Sequence, residues 1–411
     1  MIRRVQVLNY RALRYVDQFL APFQILIGPN ASGKSTFLDA IKLLAELVEK
    51  NSVYEVVQAR SEAGLEDLTW MRQTDWFEIA LEADIPSHLH QKHPKLRYEV
   101  RLGVDQGEIA LLSERLWFVT SSSSPAMQSP DIFPRIVHPP ERITRGTKQT
   151  PSGWRSIINK TSASDYFKSE KTDWNINFGF GRAKSALANV PQDEERFPVA
   201  SWFKSYLSEG VQRIMLNSAA LRSPSLPQSP RRFLPDGSNL PTMIHELERH
   251  HPDKLSEWIQ HVQTALPDVA GIRTIERPED RKRYLSLQYH NQVEVPSWGV
   301  SDGTLRLLAL TILAYLPDVR GVYLIEEPEN GIHPKAMETV IQSLQSVYSA
   351  QMMIATHSPI IVRMVQPSDL LCFARTPEGM VDIVKGSEHP VLKDWRHDVE
   401  LSVLYVGGVL G

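Results

Sequence analysis

The sequence has little cysteine and no long apolar run. Cys372 is its one cysteine in 411 residues, so no disulfide can form within the chain, and its apolar neighbours favour a buried strand. The apolar stretches fall short of the roughly 20 residues that a membrane helix needs. The first ten residues, MIRRVQVLNY, lack the apolar segment and cleavage site of a signal peptide. We therefore expect a cytoplasmic protein without a membrane segment.

The chain also lacks a charge excess, a repeat and a heptad pattern. Its net charge is −3, which excludes a globally basic nucleic-acid-binding protein. No apolar heptad run is long enough for a coiled-coil arm. With 42% hydrophobic and 23% charged residues, the composition is that of a globular protein with one large lobed domain or two.

One glycine-rich motif dominates the sequence, GPNASGKST at residues 28–36. Its pattern is Gly, four residues, then Gly-Lys-Ser. Gly28 and Gly33 let backbone N–H groups surround phosphate oxygens, Lys34 reaches the outer phosphates, and the Ser35 hydroxyl suits Mg²⁺. The motif predicts a binding loop for a nucleoside triphosphate.

The flanking sequence has the context that this loop requires. Residues 23–27 form a short apolar run, and the apolar periodicity after residue 36 predicts a helix that ends near Glu49. Residues 2–8 predict a first strand. Strict alternation over 77–85 and 98–104, with another candidate at 108–119, predicts an antiparallel β lobe.

Residues 120–200 lose this periodicity. Between 131 and 190 there are ten Lys/Arg against five Asp/Glu, interleaved with aromatic residues. One interpretation is a surface that tracks and stacks on nucleic acid. The other, which we favour, is an insertion whose aromatics form a small core and whose charges face water.

A second set of motifs lies near the other end of the chain. Ser301 is a good N-cap for a strongly periodic helix. The apolar run 322–325 then delivers Glu326 and Glu327 at the carboxyl end of a buried strand, where α/β sheets bind ligands. Two adjacent carboxylates without a local basic partner are costly unless a cation such as Mg²⁺ is present. Adjacent residues leave a strand on opposite sides, so Glu326 can hold the metal while Glu327 polarises water. The next buried strand ends at His357, which we expect to face the γ-phosphate.

The order of phosphate loop, distant signature helix, acidic strand and histidine strand resembles the ABC-type ATPase superfamily. The segments SDGTLRLLAL at 301–310, IEEPENGIHP at 325–334, DGSNLP at 236–241 and THSP at 356–359 are similar to the stand-alone AAA-family ATPases of the SMC/RecF/OLD-like branch. The resemblance implies an α/β fold, an ABC-type P-loop ATPase head with a mixed sheet core, an antiparallel β lobe and a helical lobe.

The same resemblance implies roles for individual residues. It assigns Glu326 to the Mg²⁺ shell, Glu327 to the catalytic carboxylate and His357 to the γ-phosphate switch. The metal-shell acid of the family is usually Asp, so the longer Glu326 is a departure. The remaining implied contacts are nucleotide binding by Gly28, Pro29, Asn30, Gly33, Lys34, Ser35 and Thr36, a metal contact by Ser35, a phosphate contact by Arg11, and binding of the partner subunit's γ-phosphate by Ser301, Asp302 and Gly303. The coupling glutamine of the superfamily has two candidates, Gln73 and Gln212.

We therefore expect an ATPase that converts ATP to ADP and phosphate with Mg²⁺, and that forms a homodimer, or a higher even-numbered oligomer, around ATP. From the resemblance we expect it to control DNA or a separate effector such as a nuclease, in anti-phage defence or DNA maintenance. One alternative is an ATP-gated scaffold that holds a toxin or nuclease. A transporter subunit is a weaker alternative, because the signature is degenerate.

The expected organisation has four parts, and no nuclease centre of its own. After residue 359 the sole acidic cluster, Asp394, Asp398 and Glu400, has no strand to fix it, whereas metal sites need rigidly held ligands. The apolar residues from 401 onward should dock on the head or on a partner. The four parts are 1–119 with the phosphate loop and antiparallel lobe, 120–200 as an irregular basic and aromatic insertion, 201–300 as a helical lobe with connecting strands, and 301–411 with the signature, acidic strand, histidine strand and tail.

Overall fold

A computed structural model describes residues 1–89, 92–120, 130–145, 150–161, 165–393, 395 and 399–411. In these residues no helix is both long and apolar enough to cross a membrane. The helices are α1 Lys34–Lys50, α2 Val53–Gln58, α3 Pro198–Ser208, α4 Ser218–Arg222, α5 Leu240–His250, α6 Pro252–Ala265, α7 Asp302–Thr311, α8 Pro334–Gln345, α9 Pro359–Arg363 and α10 Leu401–Val406.

The strands form three sheets. They are β1 Ile2–Tyr10, β2 Leu13–Phe19, β3 Phe23–Ile27, β4 Trp76–Asp84, β5 Lys95–Asp105, β6 Glu108–Val119, β7 Trp154–Thr161, β8 Asp165–Lys168, β9 Asn175–Asn177, β10 Val211–Ile214, β11 Val269–Glu276, β12 Arg283–Tyr289, β13 Glu294–Pro296, β14 Gly321–Glu326, β15 Ala350–Ala355, β16 Leu370–Arg375 and β17 Val381–Lys385. The orders are β2-β1-β4-β5-β6-β7-β8-β9, β10-β14-β15-β3-β16-β17 and β11-β12-β13.

The central sheet is parallel except at one edge. Strands β10, β14, β15, β3 and β16 run parallel, and β17 returns antiparallel to β16. Its strands are buried on both faces, as their near-continuous apolar sequences indicate. Because parallel strands end at one edge, β3, β14 and β15 bring the glycine-rich loop, the carboxylate pair and His357 together.

Two cores lie on opposite faces of the central sheet. Alternate residues explain the division, since Leu26 and Leu324 belong to one core and Ile25 and Ile325 to the other. The first core contains α1, which packs between the central sheet and the eight-stranded sheet. The second contains α5 to α9 and the three-stranded sheet. The mixed α/β architecture with an antiparallel lobe and a helical lobe agrees with the prediction.

The described residues between 120 and 200 include three strands, where the sequence predicted an irregular insertion. Strands β7, β8 and β9 extend the eight-stranded sheet from β6. Their sequences are short and mix polar with aromatic residues, which hides the alternation. Phe167 packs edge to face on Phe178, Phe180 and Phe197, with centroid distances of 5.2 to 6.0 Å. This supports the favoured interpretation of a small aromatic core, while nucleic-acid contact by 131–190 stays a prediction.

Candidate functional site

The glycine-rich loop joins β3 to α1 and needs its glycines. Gly28 and Gly33 have φ angles of 144° and 97°, in the left-handed region that favours glycine. A Cβ at Gly28 would also collide with the carbonyl oxygen of Phe373 on β16. The two glycines therefore fix the path of the loop and bring it against the sheet.

The ammonium group of Lys34 lies inside this loop. Its Nζ donates hydrogen bonds to the carbonyl oxygens of Gly28 at 2.8 Å and Pro29 at 2.9 Å. Burial lowers the pKa of Lys34 to about 8, although Glu327 and Glu326 act in the opposite direction. Nearby carboxylates therefore balance the positive charge of Lys34 only weakly, which suits a group that binds an anion.

Ser35 and Glu326 meet although 291 positions separate them. The Ser35 hydroxyl donates a 2.6 Å hydrogen bond to Glu326 Oε2. Both predicted metal ligands therefore lie at one point, where the first turn of α1 faces the end of β14. Oxygen donors of this kind are those that Mg²⁺ prefers.

The carboxylate pair has no basic partner nearby in the sequence, but it has one in the sheet. Arg213 Nη2 lies 2.6 Å from Glu326 Oε1. Arg213 comes from β10, which runs parallel to β14 and pairs it opposite Leu324. The partner is distant in sequence and adjacent in the sheet, so local sequence could not reveal it.

Glu327 turns out of the strand. Its φ is 47°, its N–H donates to the Ala355 carbonyl oxygen at 2.8 Å, and its side chain is exposed. Asn330 Nδ2 donates a 2.6 Å hydrogen bond to Glu327 Oε2. The two carboxylates therefore have different hydrogen-bond partners, Ser35 on α1 for Glu326 and the following loop for Glu327.

Glu329 organises the end of the histidine strand. Its Oε1 accepts hydrogen bonds from Thr356 Oγ1 at 2.6 Å and from the His357 N–H at 3.0 Å. Burial, and then the nearby Lys34 charge, lower the pKa of His357 below its usual 6.5. The imidazole is therefore neutral at pH 7 and can donate and accept one hydrogen bond each.

The predicted signature residues open α7. Ser301 caps the helix, since its Oγ accepts from the Thr304 N–H at 3.2 Å. Asp302 Oδ1 lies 2.8 Å from Arg222 Nη2. A Cβ at Gly303 would collide with the carbonyl oxygen of Gly331. The start of α7 therefore packs on the loop that follows Glu327 in the same chain.

The remaining predicted site residues are Pro29, Asn30, Thr36 and Arg11. Pro29 and Asn30 are exposed on the loop, and Thr36 is half-buried. The guanidinium of Arg11 donates to Asp39 Oδ2 at 3.2 Å and to the Arg60 carbonyl oxygen at 3.1 Å. Arg11 is thus tied to α1 and to the turn after α2, and its phosphate contact stays a prediction.

The two glutamine candidates lie apart from the acidic strand's end. Gln73 is exposed after a turn that precedes β4. Gln212 is near the start of β10 and lines a cavity of about 600 Å³. Since the site is at the carboxyl ends of the strands, Gln212 lies at the wrong end of the sheet for contact with the γ-phosphate.

The C-terminal tail contacts the glycine-rich loop. Leu410 is fully buried, and the Tyr405 hydroxyl donates to the Gly28 carbonyl oxygen at 3.4 Å. Val403 and Val406 remain exposed. The tail therefore docks on the head with one side and offers apolar surface on the other. Asp394 and Asp398 lie outside the described residues.

Sequence reasoning missed Arg213, Asn330 and Glu329. Asn330 and Glu329 fall inside the motif that carries the resemblance, so their polar character next to Glu327 was the available signal. Arg213 has no motif of its own. Only the pairing of β10 with β14 reveals its role.

Comparison with known proteins identifies the family of this chain. Residues 23–363 match the family described as "AAA domain, putative AbiEii toxin, Type IV TA system". An OLD nuclease of Thermus scotoductus is 46% identical over 44 residues, which are 11% of this chain and 8% of that protein. The chain therefore matches only a small fraction of that relative's length.

A solved structure of an SMC head has a similar fold. An SMC head bound to the C-winged helix domain of ScpA is 13% identical to this chain. The match covers 93% of this chain and 97% of the SMC head chain, with a TM-score of 0.52. The SMC head domain of Thermotoga maritima is 11% identical, with coverage of 93% and 98% and a TM-score of 0.42. The chain belongs to this AAA-domain family, and its fold is that of the ABC-type P-loop ATPase heads.

Proposed function

We propose that this protein binds ATP with Mg²⁺ at the glycine-rich loop and hydrolyses it to ADP and phosphate, as a dimer that encloses the nucleotides. The observation that carries the proposal is the 2.6 Å contact between Ser35 and Glu326. This contact joins the end of the phosphate loop to the end of the acidic strand. An ATPase of this kind needs these two motifs at one site.

The residues at this contact fit a magnesium ion. Ser35 and Glu326 supply a hydroxyl and a carboxylate, and Mg²⁺ prefers such oxygen ligands. When bound, the ion would neutralise charge on the β- and γ-phosphates. Arg213 pairs with Glu326 and must give way, at least in part, if Glu326 is to turn toward a metal.

In this proposal Glu327 is the catalytic carboxylate. Asn330 holds its Oε2, which leaves Oε1 to accept a proton from an attacking water. Lys34 binds the outer phosphates by exchanging the loop carbonyls for phosphate oxygens. His357 is neutral and held by its backbone to Glu329, so it can donate a hydrogen bond to the γ-phosphate.

The dimer assignment rests on α7. The N-terminus of this ten-residue helix carries backbone N–H groups and the positive end of the helix dipole, which together suit an anion. In ABC-type heads the residues matching Ser301, Asp302 and Gly303 bind the partner's γ-phosphate. Gly303 packs on the loop after Glu327, so movement of that loop on hydrolysis would also move the start of α7 at the dimer surface.

We further infer that the chain controls a separate effector, such as a nuclease, in anti-phage defence or DNA maintenance. The family description and the short match to an OLD nuclease support this inference. The purified chain with ATP, Mg²⁺ or Mn²⁺ should therefore leave DNA intact. Cleavage that survives both Lys34→Ala and stringent purification would contradict it.

Light scattering tests the dimer. Glu327→Gln should trap ATP and shift from monomer to dimer when Mg²⁺ and ATP are added together. The same protein carrying Ser301→Arg should bind ATP and stay monomeric, since a bulky cation replaces the N-cap. A Glu327→Gln protein that is monomeric with and without ATP would overturn the dimer.

A further inference from the structure

A layer of charged residues lies on the face of the eight-stranded sheet that points away from α1. Side chains alternate along β5, so Tyr98 and Val100 enter the core with α1 while Arg97, Glu99 and Arg101 occupy the opposite face. This layer is not open to solvent, because Arg97 and Glu99 are 3% and 0% exposed.

The carboxylates of the layer are already occupied. Glu78 accepts hydrogen bonds from the N–H groups of Ile143 and Thr144 at 2.7 and 2.9 Å, and from the Thr144 hydroxyl at 2.8 Å. Glu99 accepts from Arg97 Nε at 2.6 Å, besides Trp117 and the Arg145 N–H. Little carboxylate capacity is left for other cations.

Four arginines nevertheless line one cavity of about 280 Å³ beside this layer. We call it the arginine pocket. Its other lining residues include three that carry hydroxyl groups. The arginines are Arg101, Arg115, Arg142 and Arg145, and the hydroxyl-bearing residues are Ser113, Thr144 and Thr161.

The two deep arginines are poorly compensated. Arg115 is 7% exposed, its Nε donates to Asn159 Oδ1 at 3.0 Å, and within the described part of the chain no carboxylate oxygen lies within 4 Å of its guanidinium. Arg101 approaches Glu78 at 3.4 Å and stacks over Trp76 at 4.1 Å. Its Nε is buried and has no hydrogen-bond partner among the residues that the structure describes.

The energetic consequence is an unfavourable charge arrangement. Burial lowers the pKa of Arg101, Arg115 and Arg145, and a neighbouring arginine adds to the lowering in each case. Nearby carboxylates, chiefly Glu78 and Glu99, offset only part of it. A buried charge without a partner is costly in a protein interior. An anion that entered the pocket would supply the missing negative charge.

We propose that the arginine pocket binds a terminal phosphate group, carried either by a small phosphorylated molecule or by the 5′ end of a nucleic acid strand. A terminal phosphate has two negative charges and three free oxygens, which suit several converging guanidinium groups. A phosphodiester within a strand carries one charge and is flanked by bulky sugars. The pocket's small volume and the depth of Arg115 favour the terminal group.

Inorganic pyrophosphate is the probe, and Lys34→Ala is the background because it disables the phosphate loop. Pyrophosphate should raise the melting temperature of Lys34→Ala. The shift should vanish when Arg115→Met is added. The Arg142→Ala/Arg145→Ala pair, at the exposed rim, should weaken binding about tenfold without touching the interior.

A matched substitution separates binding from folding. Without a ligand, Arg115→Met should raise the melting temperature, because it removes an uncompensated buried charge. Arg97→Met should lower it, since Arg97 lies in the same layer but pairs with Glu82 at 3.0 Å and Glu99 at 2.6 Å. A fall in stability for Arg115→Met equal to that of Arg97→Met would contradict the proposed charge excess.

Oligonucleotides identify the source of the phosphate. If a 5′-phosphorylated oligonucleotide displaces pyrophosphate and the unphosphorylated one of the same sequence does not, the source is a nucleic acid end. If neither displaces it, the source is a small molecule. The proposal is overturned if pyrophosphate gives no shift in Lys34→Ala, if the shift survives Arg115→Met, or if both oligonucleotides compete equally.

Discussion

The lowered pKa of Lys34 predicts that ATP affinity falls as the pH rises. The ammonium binds phosphate only when protonated, and in the free protein burial brings its pKa to about 8. Bound phosphates would raise that pKa well above 8, because opposite charges favour the charged form. ATP binding above pH 8 therefore takes up a proton, so the affinity for ATP falls as the pH rises.

The size of the effect follows from the protonated fraction. With a pKa of about 8, about 0.76 of Lys34 is protonated at pH 7.5 and about 0.03 at pH 9.5. The dissociation constant should therefore rise about 25-fold across this window, which corresponds to about 1.9 kcal/mol. His357 does not contribute, since its lowered pKa places its titration below the window.

Equilibrium titration with a fluorescent ATP analogue at constant ionic strength measures this dependence. Lys34→Arg is the matched control, because a guanidinium stays charged throughout and its affinity should be flat. A parent protein whose affinity changes less than twofold between pH 7.5 and 9.5 would refute the reasoning. So would an equal slope in Lys34→Arg.

Three further predictions concern the site and its surroundings. Gly303→Ala should lower the free energy of unfolding by about 1–3 kcal/mol in urea denaturation, because its Cβ would meet the Gly331 carbonyl oxygen. The control Gly179→Ala places its Cβ in open space and should change this free energy by less than about 0.5 kcal/mol. A comparable cost at both positions would contradict the packing argument. In the absence of nucleotide, Arg213→Met should tighten Mn²⁺ binding about two- to fivefold in a spectroscopic titration, because a cation that competes for Glu326 is lost. Weaker Mn²⁺ binding would instead show that Arg213 supports the metal site. Leu410→Ala should speed proteolysis of the tail, whereas the same change at exposed Val406 should not; equal rates would mean that the tail is not docked.

Local patterns explain which parts of the fold the sequence predicted. The apolar run before Gly28 and the periodic residues after it gave β3 and α1, and strict alternation gave β4 and β5. The sequence patterns did not predict β2, which pairs antiparallel with β1 across a turn at residues 11–12. Strands as short as β8 and β9 carry too few residues for a period to be recognised.

The candidate site divides in the same way. The motif residues Lys34, Ser35 and Glu326 meet as their strand ends predicted. Arg213 could not be predicted, because its role depends on which strand pairs with β14. The reason for glycine at position 303 is likewise a tertiary contact, with a loop 28 positions away along the chain. Site roles carried by motifs are visible in sequence, whereas those carried by packing are not.

We propose that Glu327 is the general base for ATP hydrolysis at the site formed by Ser35 and Glu326. Phosphate release and ATP binding should be measured together for the parent, Glu327→Gln and the exposed control Glu338→Gln. Loss of a general base costs about 10²–10⁴ in rate, so Glu327→Gln should keep ATP affinity within about twofold while its turnover falls by at least about 100-fold. Glu338→Gln should behave as the parent. Hydrolysis by Glu327→Gln at the parent rate would contradict the account.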